Sequence, residues 1–208
     1  MYVPPAFASP DDAATRRLIE DNPFGLLVAS GDEGLVAAHL PMDLDAGRNV
    51  LVGHMAGPNH VVPALQDCAR AGREVMAVFQ GPHGYISPDW YATTKNTVPT
   101  WNYAAAHVYG VPTTFDDKAR LHALVDALAR RYERGAWQLA AQDGDYVDRM
   151  LGGIVGFELA VTRIEGKFKL SQNRLPADRL GAIAGLDATG RAADRELADL
   201  MRAHPPKG

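Results

Sequence analysis

The sequence has a single cysteine, Cys68, in a chain of 208 residues. One thiol cannot form a disulfide within the chain, and a chain of this length buries enough apolar surface to fold without cross-links. The opening residues, MYVPPAF, lack the basic and then apolar order of a secretory signal. Together these features predict a cytoplasmic protein.

Long apolar runs are also absent, because Asp, Arg, Gly or Pro interrupts each hydrophobic stretch before it reaches the roughly 20 residues of a membrane-spanning helix. No membrane partner is therefore expected. An excess of positive charge is lacking too, since 21 Lys and Arg residues stand against 25 Asp and Glu residues, a formal net charge of −4. Because Lys and Arg supply most non-specific affinity for nucleic acids, any contact with DNA is expected to be local or indirect.

Common catalytic and nucleotide-binding motifs are missing. The chain has no GxGxxG, GxxxxGKS, HExxH, CxxC or GxSxG sequence, which leaves a dinucleotide fold, a P-loop, a zinc protease, a dithiol site and a nucleophile elbow unsupported. Histidine is more frequent, with 7 residues, but the spacing matches no metal-ligand template. We therefore predict neither a catalytic residue nor a metal site from these motifs.

The pattern of apolar residues predicts a mainly β fold with helices (α+β). Short β-type runs separated by turn residues are typical of a barrel, and they cover residues 24–30, 35–40, 50–55, 73–80, 100–114 and 154–169. A helical period predicts helices at 9–22, 116–132 and 146–151 and again beyond 176. Ser9 is expected to cap the first helix, with Pro10 at its first position. The simplest organisation is one domain over residues 1–208, with a helical extension from about residue 176.

The stretch GPHGYISPDWY, residues 81–91, is unusually rich in glycine, proline and aromatic residues. It looks too irregular for a helix or a strand. Two interpretations stay open: a rigid surface loop in which the aromatic rings only pack, or part of a binding site.

The stretch VPTWNYAAAHVYG, residues 98–110, alternates in the manner of a strand. The alternation places Trp101, Tyr103 and His107 on one face and Asn102 and Ala104 on the other. The aromatic face is either part of the core, which is the commoner outcome, or a flat platform for a ligand.

The stretch EGKFKLSQNR, residues 165–174, ends a predicted strand with a concentration of basic and polar residues. Lys167 and Lys169 are expected to point away from Phe168 and Leu170. This basic end is either solvated, or it binds a phosphate or the carboxylates of a partner chain.

In this order, these stretches resemble the sequence pattern of the PaiB-type family of FMN-binding negative transcriptional regulators, together with MYVPPAF, His39-Leu40-Pro41 and Gly53-His54-Met55-Ala56. The resemblance covers most of residues 1–174. It implies a six-stranded split β-barrel related to flavin reductases and pyridoxamine-phosphate oxidases, a homodimer, FMN between subunits, and a negative regulator of transcription that need not be an enzyme. Three alternatives stay open: an FMN-dependent oxidoreductase, a haem-binding or haem-degrading split barrel, and a regulator without a cofactor.

One segment departs from the family pattern. After Ala56 the family typically carries an Arg-Ala-Asn-Pro type sequence, whereas this chain has Gly57-Pro58-Asn59-His60. An arginine at this place would be a bidentate phosphate anchor. We expect Asn59 and the amides at the start of the following helix to serve instead.

The resemblance implies two sets of cofactor-binding residues. A flavin phosphate needs charged or polar donors, and the flat ring needs an apolar or aromatic wall with polar groups at its edge. The candidates for the phosphate are Asn59, Lys167, Lys169, Gln172, Asn173 and Arg174. The candidates for the ring are His39, Pro41, His54, Met55, Trp101 and Asn102.

Overall fold

The computed structural model describes residues 1–31 and 34–206. In these ranges the strands form a closed barrel in the order β1-β2-β3-β6-β5-β4. They are β1 (Phe24–Gly31), β2 (Gly34–Asp45), β3 (Val50–Ala56), β4 (Val75–Ile86), β5 (Thr100–Phe115) and β6 (Ile154–Lys169). The pairs β1–β2, β2–β3 and β3–β6 are antiparallel. The predicted fold class, a split barrel with helices, is confirmed.

The helices of the described chain follow the predicted order, including the helix expected after Asn59. They are α1 (Asp12–Asp21), α2 (Val61–Arg70), α3 (Lys118–Tyr132), α4 (Gly144–Leu151), α5 (Pro176–Ala188) and α6 (Ala192–Ala203). On α3 the predicted apolar face is present, with Leu121 and Leu128 buried, while Tyr132 at its end is exposed. Within the described residues, no helix combines the length and apolarity needed to cross a membrane.

The predicted cap of the first helix is wrong. The Asp11 carboxylate, not the Ser9 hydroxyl, accepts a hydrogen bond from the amide of Ala14, at 2.7 Å. Ser9 Oγ instead donates to the Asp11 carbonyl, at 2.8 Å. The helix therefore begins two residues later than expected, because a carboxylate at Asp11 both accepts the free amide and answers the helix dipole.

The stretch judged too irregular for a strand is largely strand, because β4 continues through it to Ile86. Gly81 and Gly84 face inward, where a Cβ on Gly81 would collide with Leu18 and one on Gly84 would lie 3.0 Å from a Leu197 methyl carbon. Small residues are thus needed where helices pack closely on the strand. Because such small residues are also typical of loops, the composition of residues 81–91 wrongly indicated an irregular segment.

The described residues fall into two compact units, each assembled from separate stretches of the chain. The first contains residues 1–22, 78–107 and the described chain from 164 onward, with α1, α5 and α6. Its buried side chains include Ile19, Phe168 and Met201.

The second unit contains the described residues of 23–77 and 108–163. It holds β1 to β3 and helices α2, α3 and α4. In the hairpin of β1 and β2, Phe24 lies opposite Pro41 and Leu26 opposite His39. Buried side chains of this unit include Leu51 and Phe157.

Candidate functional site

Three basic side chains, Lys167, Lys169 and Arg174, lie at and just after the end of β6 in the first unit, and we call them the basic group. As predicted, Phe168 and Leu170 are buried while the two lysines turn outward. No carboxylate of the described residues forms a salt bridge with any of the three. Their positive charge is therefore available to an anion.

Lys169 is half-buried at the end of β6. Its Nζ donates to Thr100 Oγ1 at 2.5 Å and to the Trp101 carbonyl at 2.9 Å. Burial lowers the pKa of Lys169 below its ordinary value, and the like charges of Lys167 and Arg174 lower it further. A bound anion would offset both effects, since it stabilises the protonated amine.

Aromatic rings, rather than carboxylates, lie beside the other two cations. Lys167 Nζ lies 5.4 Å from the centroid of the Tyr103 ring and donates to the carbonyl of Tyr2 at 3.1 Å. The Arg174 guanidinium lies 4.8 Å from the centroid of the Tyr91 ring. Cation–π contacts hold the side chains in place without cancelling their charge.

Trp101 is the centre of an exposed cluster that we call the aromatic group. Its side chain is 48% exposed, and the His83 ring stacks on it with centroids 5.8 Å apart and planes 27° apart. Tyr85 meets Trp101 edge-on, with centroids 6.4 Å apart. Within this chain the Trp101 side chain on the aromatic face of β5 is therefore not part of the core. Sequence reasoning missed His83 and Tyr85, although both lie in the stretch 81–91 that it singled out.

Asn102, the neighbour of Trp101, points the opposite way and is fully buried. Its Nδ2 donates to Ser171 Oγ at 2.9 Å, and its Oδ1 has no partner in the described chain. The alternation of β5 thus separates two residues that were both predicted to contact the ring. That role stays a prediction for Asn102, which this chain holds in its core.

In the second unit, His39 is exposed on β2 and stacks on Phe24, with centroids 5.9 Å and planes 23° apart. Pro41 and His54 are half-buried on β2 and β3. The Nδ1 atom of His54 is buried without a partner among the described residues, and burial lowers the pKa of this imidazole. Met55 alternates inward and is 3% exposed, so it packs in the core.

Two of the polar candidates already have partners within the chain. Asn59 Oδ1 accepts from the amide of Val61 at 2.9 Å, and therefore occupies one of the α2 amides expected to bind a phosphate. Gln172 Oε1 accepts from the amide of Leu170 at 2.7 Å, and its Nε2 donates to the Phe168 carbonyl at 2.5 Å. Asn173 is exposed.

The basic group and the aromatic group, both in the first unit, fit a flat ligand that carries an anionic group. The basic group lacks carboxylate partners in the described chain, and the aromatic group is exposed. In the second unit, taken by itself, His54 Nδ1 is a buried polar atom that lacks a partner among the described residues. A buried polar atom of this kind normally has a partner, so a ligand edge is a suitable one. In the described ranges no group of three or more His, Cys, Asp or Glu side chains is placed to hold a metal ion.

Two solved structures share the fold. Flavocytochrome Anf3 from Azotobacter vinelandii aligns with a TM-score of 0.59 and 12% identity over 78% of this chain and 69% of that one. The FAD and heme binding protein from Mycobacterium smegmatis aligns with a TM-score of 0.52 and 18% identity over 85% of this chain and 78% of that one. At these identities the likeness concerns the fold alone.

Sequence comparison is more specific. The family model described as "Putative FMN-binding domain" matches residues 1–163, ending just before the basic group. The protease synthase and sporulation protein PAI 2 of Bacillus subtilis is 31% identical over 206 residues, which cover 97% of this chain and 96% of that protein. With the split barrel described above, the chain therefore belongs to the PaiB-type family of FMN-binding split-barrel proteins.

Proposed function

We propose that this protein binds FMN as a homodimer in the cytoplasm and acts as a negative regulator of transcription. The observation that carries the flavin part is the basic group, whose three cations lack carboxylate partners in the described chain and which adjoins the exposed Trp101. Membership of the family supports the same ligand.

The phosphate of FMN would bind to the basic group. A phosphate monoester carries about −1.5 to −2 charges at neutral pH and offers three acceptor oxygens. Lys169 Nζ donates hydrogen bonds to Thr100 and Trp101, which orient the amine. Among the described residues, the Arg174 and Lys167 side chains contact aromatic rings and the Tyr2 carbonyl. Donors that are oriented but not neutralised suit an anion.

The flavin ring would lie against the aromatic group. The side chains of Trp101 and Tyr85 are 48% and 49% exposed. Lys169 connects the basic group to the aromatic group, because its Nζ donates to the Trp101 carbonyl. His39, Pro41 and His54 of the second unit stay predicted contacts of the ring, and Asn59 stays a predicted contact of the phosphate. The chemistry of His54 supports this role, because its buried Nδ1 has no partner among the described residues and suits a polar ring edge.

A homodimer is supported by the exposed aromatic group, since large aromatic residues are enriched in interfaces and costly to leave in water. Sedimentation at micromolar concentration should show a dimer. A monomer under those conditions contradicts this part of the proposal and leaves the flavin part to be tested by titration.

Regulation of transcription is the family-level part of the proposal. When bound, FMN supplies a redox-active ring. Binding and release of FMN would then be the signal to which the regulator responds. The net charge of −4 favours an indirect action or a small local contact with DNA.

Titration with FMN, followed by quenching of flavin fluorescence, tests the flavin site. Lys169→Ala should weaken binding by about 1.5 to 3 kcal/mol, the range for a lost charged hydrogen bond, and leave the fold intact. Arg134→Ala is the control, because Arg134 is exposed and forms no ion pair with the described residues. Arg120 is unsuitable as a control, since it pairs with Glu158 at 3.4 Å and lies over the Phe115 ring.

The outcomes separate the parts of the site. If Lys169→Ala binds FMN like the parent while remaining folded, Lys169 is not an anchor. If the parent itself fails to bind FMN, the proposed function is wrong.

A further inference from the structure

The loop between β4 and β5 is tied down at both ends close to the basic group. At one end, the amide and hydroxyl of Thr93 donate to the carboxylate of Asp178, at 2.8 and 3.0 Å. Asp178 is buried in the first turn of α5, a helix that begins two residues after Arg174. At the other end, Thr100 Oγ1 accepts a hydrogen bond from Lys169 itself. The loop is thus bonded to Lys169 at one end, and its Tyr91 ring lies 4.8 Å from the Arg174 guanidinium.

Between these anchors, residues 94–99 are free of such ties. Thr94, Lys95 and Asn96 are exposed, and none of them has a side-chain partner among the described residues. Asn96 has a φ of 57°, a left-handed conformation that reverses the chain direction at this point. The segment presents hydroxyl, ammonium and carboxamide donors and contains no Asp or Glu.

We propose that Lys95 is a further phosphate-binding residue and that residues 94–99 close over the phosphate of a bound flavin, so that the protein selects phosphorylated flavins over riboflavin. The inference rests on the proposed function, since it needs a flavin on the basic group. Lys95 follows the Thr93 anchor by two residues, which span at most about 7 Å of backbone. A fourth cation without a described carboxylate partner therefore lies on the segment that can fold over the phosphate.

The test compares two ligands that differ only in the phosphate. The parent, Lys95→Ala and Lys95→Arg are titrated with FMN and with riboflavin. Lys95→Ala should raise the Kd for FMN about three- to tenfold, as for an exposed charge-assisted contact, and leave the Kd for riboflavin unchanged. Lys95→Arg should bind FMN nearly as the parent does. Lys118→Ala is the matched control, because Lys118 is an exposed lysine whose partner is Asp148.

Limited trypsin digestion provides a second readout on the parent protein. Exposed loops are preferred sites of cleavage, and Lys95 is a trypsin site within one. FMN should slow cleavage after Lys95, and riboflavin at equal occupancy should not.

The outcomes are distinct from those of the proposed function. If the parent binds FMN but Lys95→Ala binds it equally well, or loses FMN and riboflavin to the same extent, the inference is wrong and the flavin site stands. If both flavins protect Lys95 equally from trypsin, closure over the phosphate is wrong. If the parent binds neither flavin, the proposed function and the inference fail together.

Discussion

Asn102 donates a hydrogen bond from Nδ2 to Ser171 Oγ over 2.9 Å, and both side chains are buried. The bond joins β5 to Ser171, which lies two positions after Lys169. Immediately before Asn102, the Trp101 carbonyl accepts from Lys169. The two bonds together hold the outward Trp101 and Lys169 at a defined spacing.

Ser171 has a φ of 62°, in the region that favours glycine. Ser171→Ala should lower the free energy of unfolding by about 1 kcal/mol through the lost hydrogen bond, with the backbone conformation unchanged. Ser171→Gly loses the same bond but relieves the left-handed conformation, a gain of about 1 kcal/mol. Urea denaturation should therefore rank Ser171→Gly above Ser171→Ala in stability. The opposite ranking contradicts this account of Ser171.

FMN affinity should fall with rising pH, and it should do so at a lower pH than the ordinary pKa of a lysine predicts. Burial and neighbouring cations lower the pKa of Lys169, and phosphate binding needs the protonated amine. Affinity should be full below that pKa and be lost as the pH rises through it. Lys169→Arg keeps its charge at high pH, so its affinity should persist. FMN titrations between about pH 7 and 10 provide the measurement, and riboflavin titrations correct for ionisation of the ring. Parallel curves for the parent and Lys169→Arg would exclude Lys169 as the titrating group.

Acid should destabilise the protein partly through His54. Burial lowers its pKa in the folded state below the ordinary value of about 6.5, so the unfolded chain binds the proton more readily. The contribution of the neutral imidazole is full above about pH 6.5 and is lost as the pH falls through the window below it. His54→Gln should show a flatter dependence of unfolding free energy on pH in this window. His122→Gln, at an exposed position of α3, should follow the parent. Identical slopes for His54→Gln and the parent would contradict the assignment.

The sequence predicted the helices and most strands because their apolar periods are long and regular, as in α3 and β6. It also predicted which residues of β5 share a face. It did not decide which face of β5 is buried, because both faces of the strand carry apolar residues in the same alternating pattern. Packing against other elements decides that, and on the Asn102 side Met201 of α6 lies within 3.5 Å of the carboxamide.

The candidate site was predictable to a similar degree. Basic residues on an outward strand face are visible in the alternation, and Lys167 and Lys169 were assigned correctly to that face. The sequence did not predict that the side chains of Gln172 and Asn59 accept hydrogen bonds from nearby backbone amides. Short-range hydrogen bonds of this kind depend on local turn geometry. The inward register of Met55 on β3 was not predicted either, and its contact with a ligand stays a prediction.

DNA binding should be weak and should compete with FMN. In the second unit, Arg163 pairs with Glu74 at 2.6 Å and lies over the Tyr109 ring at 3.5 Å, so its charge is already engaged. In the first unit, the three cations of the basic group lie close enough to repel one another and have no carboxylate partner among the described residues. With a net charge of −4, few counterions can be released from phosphates, so the Kd for random duplex should be weaker than about 10⁻⁶ M at physiological salt. Fluorescence anisotropy with a labelled duplex measures it, and saturating FMN should abolish whatever binding remains at low salt, because both ligands need the same cations. Tight binding to random duplex that FMN leaves unchanged would show that DNA contacts another surface.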